Sequence, residues 1–368
     1  MSDALFMGRA LELAERGRGL TSPNPLVGAV VVREGRVVGE GAHLRAGGPH
    51  AEIEALAAAG EAARGATLYV SLEPCNHRGR TPPCAPVVAR AGLARVVAAL
   101  ADPNPVAGGG VALLRAHGVT VEVGLLAAEA ERQNRAWLTA MRERRPHVTL
   151  KAAATFDGRI ADVHGASRWI TGEAARGHAH RLRAESDAIV VGVTTALRDD
   201  PALTVRLATP WPREPYRVVL DTRARLGGDA RVIQAATPAR ALVAVGDEAP
   251  ADRLSALQAA GASIVRCPTR QGRIDLVALL GVLFEREVRA VLVEGGAETH
   301  AGFLEAGLVD RLALFLAPLL LGGRTAPGVV GGAGRELKSA VRLGPAAVTS
   351  LGDDLLLEAD VLRAHESS

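Results

Sequence analysis

Two successive series of alternating strands and helices, separated by a short charged run, constrain the fold of this chain most strongly. The run occupies residues 142–146, contains three arginines and a glutamate, and ends in Pro146. Because proline disfavours helix at the residue before it, the run predicts the end of one unit and the start of another. The 368 residues also exceed what one hydrophobic core usually serves. We therefore predict two α/β domains, residues 1–145 and residues 146–368.

The spacing of apolar residues predicts where the elements of each series lie. For the first series it predicts helices at residues 3–16, 49–63, 84–91, 111–117 and 127–141, and strands at residues 26–32, 36–39, 66–72, 95–100 and 119–123. For the second it predicts strands at residues 148–153, 188–193, 216–220, 241–245, 263–266, 290–293, 312–317 and 355–361, with a helix that ends near Leu304. Alternation of this kind is typical of a layered sheet with helices on its faces.

Composition narrows the class of protein. The net charge is +3 and aromatic residues make up 3% of the chain, which provides neither the basic surface nor the stacking rings of a nucleic-acid-binding protein. The first 19 residues carry charges throughout, unlike a signal peptide, and no segment has the roughly 18 apolar residues of a membrane span. The three cysteines are too few for a disulfide framework. We expect a cytoplasmic protein with no nucleic-acid partner and no membrane partner.

The strongest functional signal combines His50 and Glu52 with two cysteines, Cys75 and Cys84. One imidazole and two thiolates supply three ligands for a tetrahedral Zn²⁺ and leave the fourth position to water. Such a zinc ion lowers the pKa of its bound water toward about 7. Glu52 lies two residues after His50, where it can move the proton of that water, as in the zinc nucleobase deaminases. Those proteins have two residues between the cysteines, whereas this chain has eight.

Two other interpretations of the same residues remain open at this point. In the first, His50 caps a helix and the cysteines are buried thiols. In the second, the zinc is structural and His77 is its fourth ligand. The insertion at residues 76–83 also contains a hydroxyl and two guanidinium groups beside His77, a combination suited to a phosphate.

Three segments of the second half contain candidate functional residues. Lys151 stands out because it is one of only two lysines in a chain that otherwise uses arginine, although an exposed lysine on a strand is an alternative. The segment at residues 199–206 combines paired carboxylates with a threonine and an arginine, although a turn before a strand would explain it equally well. The segment at residues 291–299 is a buried-looking strand followed by two glycines and a helix, which is how a backbone approaches a pyrophosphate. It lacks the usual dinucleotide fingerprint, so simple strand–turn–helix packing is an alternative.

The loop Glu73-Pro-Cys-Asn-His-Arg-Gly-Arg-Thr-Pro-Pro-Cys84, preceded by His50-Ala-Glu52, closely resembles a known family. This is the bifunctional diaminohydroxyphosphoribosylaminopyrimidine deaminase/5-amino-6-(5-phosphoribosylamino)uracil reductase family of riboflavin biosynthesis. Residues 23–28 and 102–105 resemble its substrate loops, and the segments of the second half resemble its reductase domain. The resemblance covers essentially the whole chain. It implies an α/β fold with an N-terminal cytidine-deaminase-like three-layer α/β/α domain and a C-terminal dihydrofolate-reductase-like α/β domain.

The resemblance also implies two consecutive reactions. The first is the zinc-dependent hydrolytic deamination of 2,5-diamino-6-(phosphoribosylamino)pyrimidin-4-one. The second is the NADPH-dependent reduction of the ribosyl side chain to ribityl. The expected cofactors are one Zn²⁺ per chain and NADPH, the expected partner is a small phosphorylated pyrimidine, and the expected assembly is a homo-oligomer, either a dimer or a tetramer.

Matching positions transfer the family's functional residues to this chain. In the deaminase, Glu52 moves the proton, the zinc ligands are His50, Cys75 and Cys84, and the substrate contacts are Asn24, His77, Arg80, Asp102 and Asn104. In the reductase, Lys151 and Asp200 assist the reaction, and the substrate contacts are Ser167, Arg183, Leu203, Arg206 and Glu294. The expected NADPH contacts are Ala153, Trp169, Thr195, Asp199, Thr222, Gly296, Ala297, Glu298, Thr299, His300, Ala301 and Gly302. Arg223, beside Thr222, is a candidate for the 2′-phosphate, since arginine suits that role.

Three rival functions use only part of these motifs. A deaminase with a non-catalytic second domain would not oxidise NADPH. A nucleic-acid deaminase would need basic channels and stacking rings. A structural zinc protein would leave Glu52 without a role. The bifunctional enzyme accounts for all of the motifs and is the function that we predict.

Overall fold

The computed structural model describes residues 2–363. They form two compact units, one ending at Arg144 and the other beginning at Arg145. Each unit has its own sheet and its own buried apolar clusters. None of the helices that the structure describes combines the length and the apolar composition needed to cross a membrane.

The first unit is built around a five-stranded sheet. Its strands are β1 (Gly28–Arg33), β2 (Arg36–Ala42), β3 (Thr67–Val70), β4 (Arg95–Ala98) and β5 (Thr120–Val123), in the order β2-β1-β3-β4-β5. Its helices are α1 (Asp3–Ala14), α2 (Ala51–Ala59), α3 (Ala85–Arg90), α4 (Gly110–Ala116), α5 (Ala127–Gln133) and α6 (Arg135–Glu143). The predicted β1–β2 hairpin is confirmed. Glu34 and Gly35 in its turn both have positive φ angles, as a two-residue hairpin turn of the favoured type requires.

The parallel strands β3 and β4 bring the segments that follow them to one edge of the sheet. Glu73, just after β3, ties these segments together with both carboxylate oxygens. Its Oε2 accepts a hydrogen bond of 2.9 Å from the Asp102 N–H, and its Oε1 accepts one of 2.8 Å from the Val111 N–H in α4. Helix α4 packs so closely that a Cβ on Gly110 would lie 1.8 Å from the Pro74 carbonyl oxygen. A glycine at position 110 therefore permits the approach of α4 to the loop that contains Cys75.

The helix predicted at residues 127–141 is interrupted at Asn134 and forms two helices, α5 and α6. The Asn134 side chain is buried, and its Oδ1 accepts a hydrogen bond of 2.8 Å from the Leu26 N–H. Its Nδ2 donates a second bond of 2.9 Å to the Leu26 carbonyl oxygen. Asparagine competes for backbone groups in this way and so disfavours a helix interior. The two bonds to Leu26 fix the segment that contains Asn24, one of the predicted substrate contacts.

The second unit is built around a nine-stranded sheet. Its strands are β6 (His147–Thr155), β7 (Ala188–Gly192), β8 (Tyr216–Leu220), β9 (Ala241–Val245), β10 (Ser263–Arg266), β13 (Ala290–Gly295), β14 (Arg311–Ala317), β15 (Ala347–Leu351) and β16 (Asp354–Asp360), in the order β10-β9-β8-β7-β13-β6-β14-β16-β15. A separate ribbon contains β11 (Thr269–Arg270) and β12 (Arg273–Ile274). The helices are α7 (Glu173–Glu185), α8 (Val193–Asp199), α9 (Arg231–Gln234), α10 (Ala251–Ala259), α11 (Leu276–Glu285) and α12 (Ala297–Glu305).

The centre of this sheet is parallel and positions the predicted reductase residues. Strand β13 lies between β6 and β7, with Val293 opposite Leu150. The next position of each strand carries Glu294 and Lys151, so these two side chains lie on the same face. Every strand predicted for this unit is present, although β6 and β13 each extend two residues further at the carboxyl end. The sequence pattern missed β15, whose side chains are mostly exposed, and the short ribbon.

Replacing Asn134 by alanine is expected to loosen the loop that contains Leu26. The substitution removes both bonds to Leu26 and leaves buried backbone groups unpaired, which costs about 1–3 kcal/mol. Amide hydrogen exchange of the peptide containing Leu26 measures this loss directly. Arg132→Ala, an exposed change at the end of α5, serves as the control and is expected to leave that exchange unaltered. Unchanged exchange at Leu26 in Asn134→Ala would contradict the role given to the asparagine.

Candidate active sites

The three predicted zinc ligands lie together in the first unit. His50 directly precedes α2, Cys84 directly precedes α3, and Cys75 lies in the loop after β3. The His50 Nδ1 atom is 3.5 Å from the Cys75 Sγ and 3.2 Å from the Cys84 Sγ. All three donor atoms lie within 4.8 Å of one another. Nitrogen and sulfur ligands of a tetrahedral zinc are separated by about 3.5 Å, so the donor set fits a zinc ion.

The orientation of the His50 ring fits the same role. Its Nδ1 faces the two sulfur atoms, whereas its Nε2 lies 3.0 Å from the Thr81 Oγ1. A proton on Nε2 can be donated to the threonine hydroxyl, which leaves the Nδ1 lone pair for a metal. Thr81 belongs to the insertion between the cysteines. Sequence reasoning noted this hydroxyl only as a phosphate contact and missed its bond to His50.

The acid–base character of the site follows from burial and from the sulfur atoms. Glu52 lies in the first turn of α2 and is 3% exposed. Burial raises the pKa of Glu52 to about 7, a value suited to a group that takes up and releases a proton near neutrality. The neighbouring Cys84 thiol lowers the pKa of Cys75 by hydrogen bonding. The pair thus favours a thiolate, which is the form that binds a metal.

A histidine that sequence reasoning missed orients the predicted substrate contact Asn24. The His43 Nδ1–H donates a bond of 2.9 Å to the Pro49 carbonyl oxygen, so the Nε2 of the neutral ring is an acceptor. The Asn24 Nδ2 donates to that Nε2 at 3.1 Å. Burial lowers the pKa of His43 and keeps its ring neutral. This contact fixes the orientation of the Asn24 amide. The sequence around His43 carries no motif that indicates it.

The remaining predicted deaminase contacts lie on two loops beside the cysteines. The Asp102 Oδ1 accepts a bond of 2.8 Å from the Asn104 N–H, and burial raises the pKa of Asp102 to about 6. The charges of Glu73 and Cys75 also raise the pKa of Asp102. The His77 Nδ1 is buried and has no partner among the residues that the structure describes. Arg80 is exposed on the insertion.

Many of the predicted reductase residues line one cavity of about 600 Å³ in the second unit. The cavity opens beside the carboxyl-terminal half of β6 and the end of β13. The predicted residues that line it are Lys151, Ala153, Ser167, Trp169, Arg183, Asp199, Arg206, Glu294, Gly296 and His300.

A largely buried ion pair lies among the residues that line this cavity. The Arg183 Nε and Nη2 donate to the two carboxylate oxygens of Glu294 at 2.6 and 2.7 Å. Burial opposes ionisation of Glu294, but the Arg183 charge outweighs it and lowers the pKa of the carboxyl to about 2. Burial lowers the pKa of Lys151, whose Nζ lies 5.4 Å from the centre of the Phe315 ring. The ammonium of Lys151 is therefore closer to releasing its proton than an exposed lysine would be.

His180 is a lining residue that sequence reasoning missed. It lies three residues before Arg183 in α7, which places both on one helix face. The Arg206 Nε lies 3.3 Å from the His180 Nε2. Burial, followed by the charges of Arg183 and Arg206, lowers the pKa of His180 to about 4. The i,i+3 spacing of His180 and Arg183 was the signal that could have identified it.

Among the predicted catalytic and substrate-contacting residues of the reductase, Asp200 and Leu203 are not in this cavity lining. Asp200 ends α8 with a φ of 39°, and its Oδ1 accepts a bond of 2.8 Å from the Arg231 N–H. Leu203 is buried in an apolar cluster, next to Thr204, whose carbonyl oxygen accepts a bond of 3.1 Å from the Arg183 Nη1. Contact between either side chain and a bound substrate therefore stays a prediction.

The other predicted cofactor residues surround a second cavity of about 600 Å³ and the start of α12. Thr222, Glu298, Thr299 and Gly302 line this cavity, which lies beyond the carboxyl ends of β7 and β8, where ligands of parallel sheets usually bind. Arg270 and Arg273 of the β11–β12 ribbon also line it, whereas Arg223 is not among its lining residues. Thr195 lies next to Gly296. Ala297 and Ala301 pack against the segment at residues 331–332.

The chain is similar to known proteins along nearly its whole length. The model of the RibD C-terminal domain matches residues 146–357, and that of the cytidine and deoxycytidylate deaminase zinc-binding region matches residues 1–100. The riboflavin biosynthesis protein RibD of Bacillus amyloliquefaciens is 44% identical over 358 residues, which are 96% of this chain and 95% of that protein. The solved structure of Acinetobacter baumannii RibD, form 1, has a TM-score of 0.89 and 38% identity over 98% of this chain and 99% of its own. The diaminohydroxyphosphoribosylaminopyrimidine deaminase/5-amino-6-(5-phosphoribosylamino)uracil reductase of Thermotoga maritima has a TM-score of 0.84 and 36% identity, with 98% of each chain covered.

Thr81→Val is expected to weaken zinc binding by about 10–100-fold, the usual effect of losing a partner that orients a ligand. The valine keeps the shape of the side chain but cannot accept the His50 Nε2 proton. Competition with a chromophoric chelator measures the affinity. Thr120→Val, at an exposed position of β5, is the matched control and should bind zinc like the wild type. Equal affinities in both variants would show that the Thr81 contact does not orient His50.

Proposed function

Since this chain belongs to the RibD family of bifunctional deaminase/reductase enzymes of riboflavin biosynthesis, we propose how its residues divide the two reactions. The family resemblance, the fold class and the bifunctional activity predicted from the sequence are confirmed by this membership. We assign the deamination to residues 1–145 and the reduction to residues 146–368. The observation that carries this assignment is that each unit has its own chemistry: a His/Cys/Cys cluster in one and a cavity around Lys151 in the other.

In the deaminase, His50, Cys75 and Cys84 would hold one Zn²⁺ per chain. A bound zinc supplies a water of lowered pKa at neutral pH. Glu52 accepts a proton from the attacking water and delivers it to the amino group, which leaves as ammonia. The substrate is 2,5-diamino-6-(phosphoribosylamino)pyrimidin-4-one.

Substrate binding in the deaminase involves the loops around the zinc ligands. Asn24, oriented by His43, contacts the pyrimidine together with Asp102 and Asn104. His77 and Arg80 of the insertion contact the ribose phosphate, because an imidazole and a guanidinium suit that anion. The Glu73 bonds hold the loop of Asp102 next to that of Cys75, which supports this arrangement.

In the reductase, NADPH supplies a hydride to the ring-opened ribosyl group. Lys151 donates from Nζ to the group being reduced and stabilises the charge that develops there. Arg183 and Arg206 bind the anionic end of the substrate, with Ser167 and Glu294 contacting its hydroxyl groups. Ala153, Trp169, Thr195, Asp199, Thr222 and the start of α12 would hold the cofactor. Leu203 is the remaining proposed substrate contact, and Asp200 is the second proposed catalytic residue.

We also propose that the protein acts in the cytoplasm as a homo-oligomer, a dimer or a tetramer. A reducing compartment keeps the zinc cysteines available for the metal, which supports the location. Leu320, Leu337 and Val348 expose 78%, 85% and 60% of their surface, and subunit contacts commonly cover such apolar groups. Sedimentation of the purified chain as a monomer at all concentrations would contradict the oligomer.

Glu52→Gln and Lys151→Ala are expected to separate the two reactions. Glu52→Gln should lower ammonia release by at least about 100-fold, since glutamine cannot carry the proton, while NADPH oxidation on the deaminated intermediate stays intact. Lys151→Ala should show the opposite pattern. Ammonia and NADPH are recorded separately on purified protein with its diaminopyrimidinone substrate.

The chain offers a matched control for each of these variants. Glu54→Gln changes an exposed carboxylate in the same helix as Glu52, and Lys338→Ala removes the only other lysine, which is 84% exposed. Both controls should match the wild type in both assays. Ammonia release without NADPH oxidation in the wild type would overturn the reductase assignment. Absence of both signals in zinc-loaded protein would overturn both assignments.

Arg270 and Arg273 of the β11–β12 ribbon are expected to select NADPH over NADH. The Arg270 Nε contacts the Asp275 carboxylate at 2.6 Å, and the Arg273 Nη2 contacts Glu298 at 3.3 Å, which holds both guanidinium groups at the cavity that contains Thr222. Arg270→Ala/Arg273→Ala should weaken NADP⁺ binding by at least about tenfold, the loss expected for charge-assisted hydrogen bonds to a 2′-phosphate. Calorimetry should give NAD⁺ affinities within about twofold of the wild type. Arg253→Ala, exposed on α10, is the control, and equal losses for both cofactors would contradict a role in selection.

A further inference from the structure

The ammonium of Lys151 contacts an aromatic ring of the neighbouring strand. Its Nζ lies 5.4 Å from the centre of the Phe315 ring in β14. Within residues 2–363 this Nζ forms neither a hydrogen bond nor an ion pair with the protein. A cation within about 6 Å of an aromatic ring is attracted to the negative face of that ring. The Phe315 ring is therefore the protein group that holds the ammonium in place.

The pairing of β14 with β6 brings the ring to Lys151. Ala313 lies opposite Lys151, and Phe315 lies opposite Ala153. Because side chains alternate along a strand, all four point to the same face of the sheet. The two alanines are small and leave room for the Phe315 ring beside the ammonium. Arg311 shares this face, but its guanidinium pairs with a carboxylate of β16 at 2.9 Å.

Apolar neighbours fix the Phe315 ring in turn. The ring is 1% exposed and belongs to a buried cluster with Ala175 of α7 and Leu356 of β16. The His178 ring packs against it edge-to-face, with 5.9 Å between the ring centres, which is a favourable arrangement for aromatic groups. Burial lowers the pKa of His178, so this neighbour adds no positive charge near neutral pH.

The other titratable groups that face Lys151 leave its ammonium without a direct partner. Burial lowers the pKa of Lys151, the charge of Glu294 raises it, and the charge of Arg183 lowers it. The Glu294 carboxylate is already bonded twice to Arg183. Burial is also the largest cause that lowers the pKa of His180 and of His300. Both rings are neutral at neutral pH and so add no charge beside the ammonium.

We propose that Phe315 is a positioning residue for Lys151: the face of its ring holds the ammonium charged and in place in the reductase cavity. The inference rests on the proposed reductase function and deepens the role of Lys151 in it. A ring face has no lone pair that accepts a hydrogen bond, so the N–H groups of Nζ stay available to the group being reduced. Because the ring favours the charged form, weakening its negative face must lower the pKa of Lys151.

The test replaces Phe315 by trifluorophenylalanine in the full-length protein. The fluorine atoms keep the shape of the ring close to that of phenylalanine and withdraw the negative charge from its face. The chain has only two lysines, so a ¹³C-lysine spectrum contains two side-chain signals, that of Lys151 and that of the exposed Lys338. Titration of the Lys151 Cε resonance measures its pKa directly. Phe315→Tyr keeps a negative face, and the same fluorinated residue at Phe6, a buried ring of the first unit, is the control.

The fluorinated ring at position 315 is expected to lower the pKa of Lys151 by about one pH unit, the size of a partly desolvated cation–π contact. Phe315→Tyr and the fluorinated Phe6 protein should titrate like the wild type. A Lys151 pKa that stays the same or rises with the fluorinated ring at position 315 overturns the inference but leaves the reductase assignment intact.

The pH dependence of NADPH oxidation on the deaminated intermediate connects this contact with the reaction. Lys151 donates only in its charged form, so the rate falls as the pH rises through its pKa. With the fluorinated ring at Phe315 the fall is expected about one pH unit lower, and the rate at lower pH should equal that of the wild type. A rate profile that stays in place while the Cε titration moves overturns the role of Phe315 in the reaction. If the wild type oxidises no NADPH at any pH, the reductase assignment fails, and the Cε titration still decides whether the ring holds the ammonium.

Discussion

Parallel strand pairing is the constraint on which both sites depend. In the first unit, β3 and β4 run in the same direction and deliver the loops of Cys75 and Asp102 to one edge. In the second unit, β13 lies between two parallel neighbours and places Glu294 beside Lys151. The chain leaves such strands at one edge only and must return through helices, so polar and catalytic side chains collect where the strands end. Both units therefore place polar side chains near the ends of parallel strands, although their strand orders differ.

Buried polar side chains stabilise these loops by bonding to backbone groups that no helix or strand pairs. Glu73 bonds to two backbone N–H groups, and Asn134 bonds to both backbone groups of Leu26. Each of these side chains replaces the water that the loop backbone would otherwise need, and satisfied buried groups of this kind favour a single arrangement. The functional loops are thereby held by side chains that take no part in the chemistry. Such a scaffold keeps the site residues at fixed positions before a ligand binds.

The sequence allowed prediction of those features that depend on residue type and local spacing. His50, Cys75 and Cys84 are chemically distinctive, and the alternation of apolar residues located the parallel strands. Contacts between distant segments were not accessible in this way: nothing local connects Thr81 with His50, or His43 with Asn24. The break at Asn134 was missed for the same reason, because its cause is a bond to Leu26 more than a hundred residues away. The position of Asp200 depends on a helix end with a left-handed backbone, which the pattern of carboxylates does not reveal.

Two buried glutamates show how the surroundings of a carboxyl group determine its use. At Glu52 burial is the largest influence on the carboxyl group and raises its pKa to about 7. Glu294 is also largely enclosed, but the charge and the two hydrogen bonds of Arg183 lower its pKa to about 2 and keep it charged. The first environment produces a group that can exchange a proton, and the second produces a permanent anion that balances the cations around it. Deamination needs a proton carrier, whereas a cavity that contains Lys151, Arg183 and Arg206 needs a fixed negative charge. The same residue type therefore has different properties in the two units, because Arg183 binds Glu294 whereas burial dominates at Glu52.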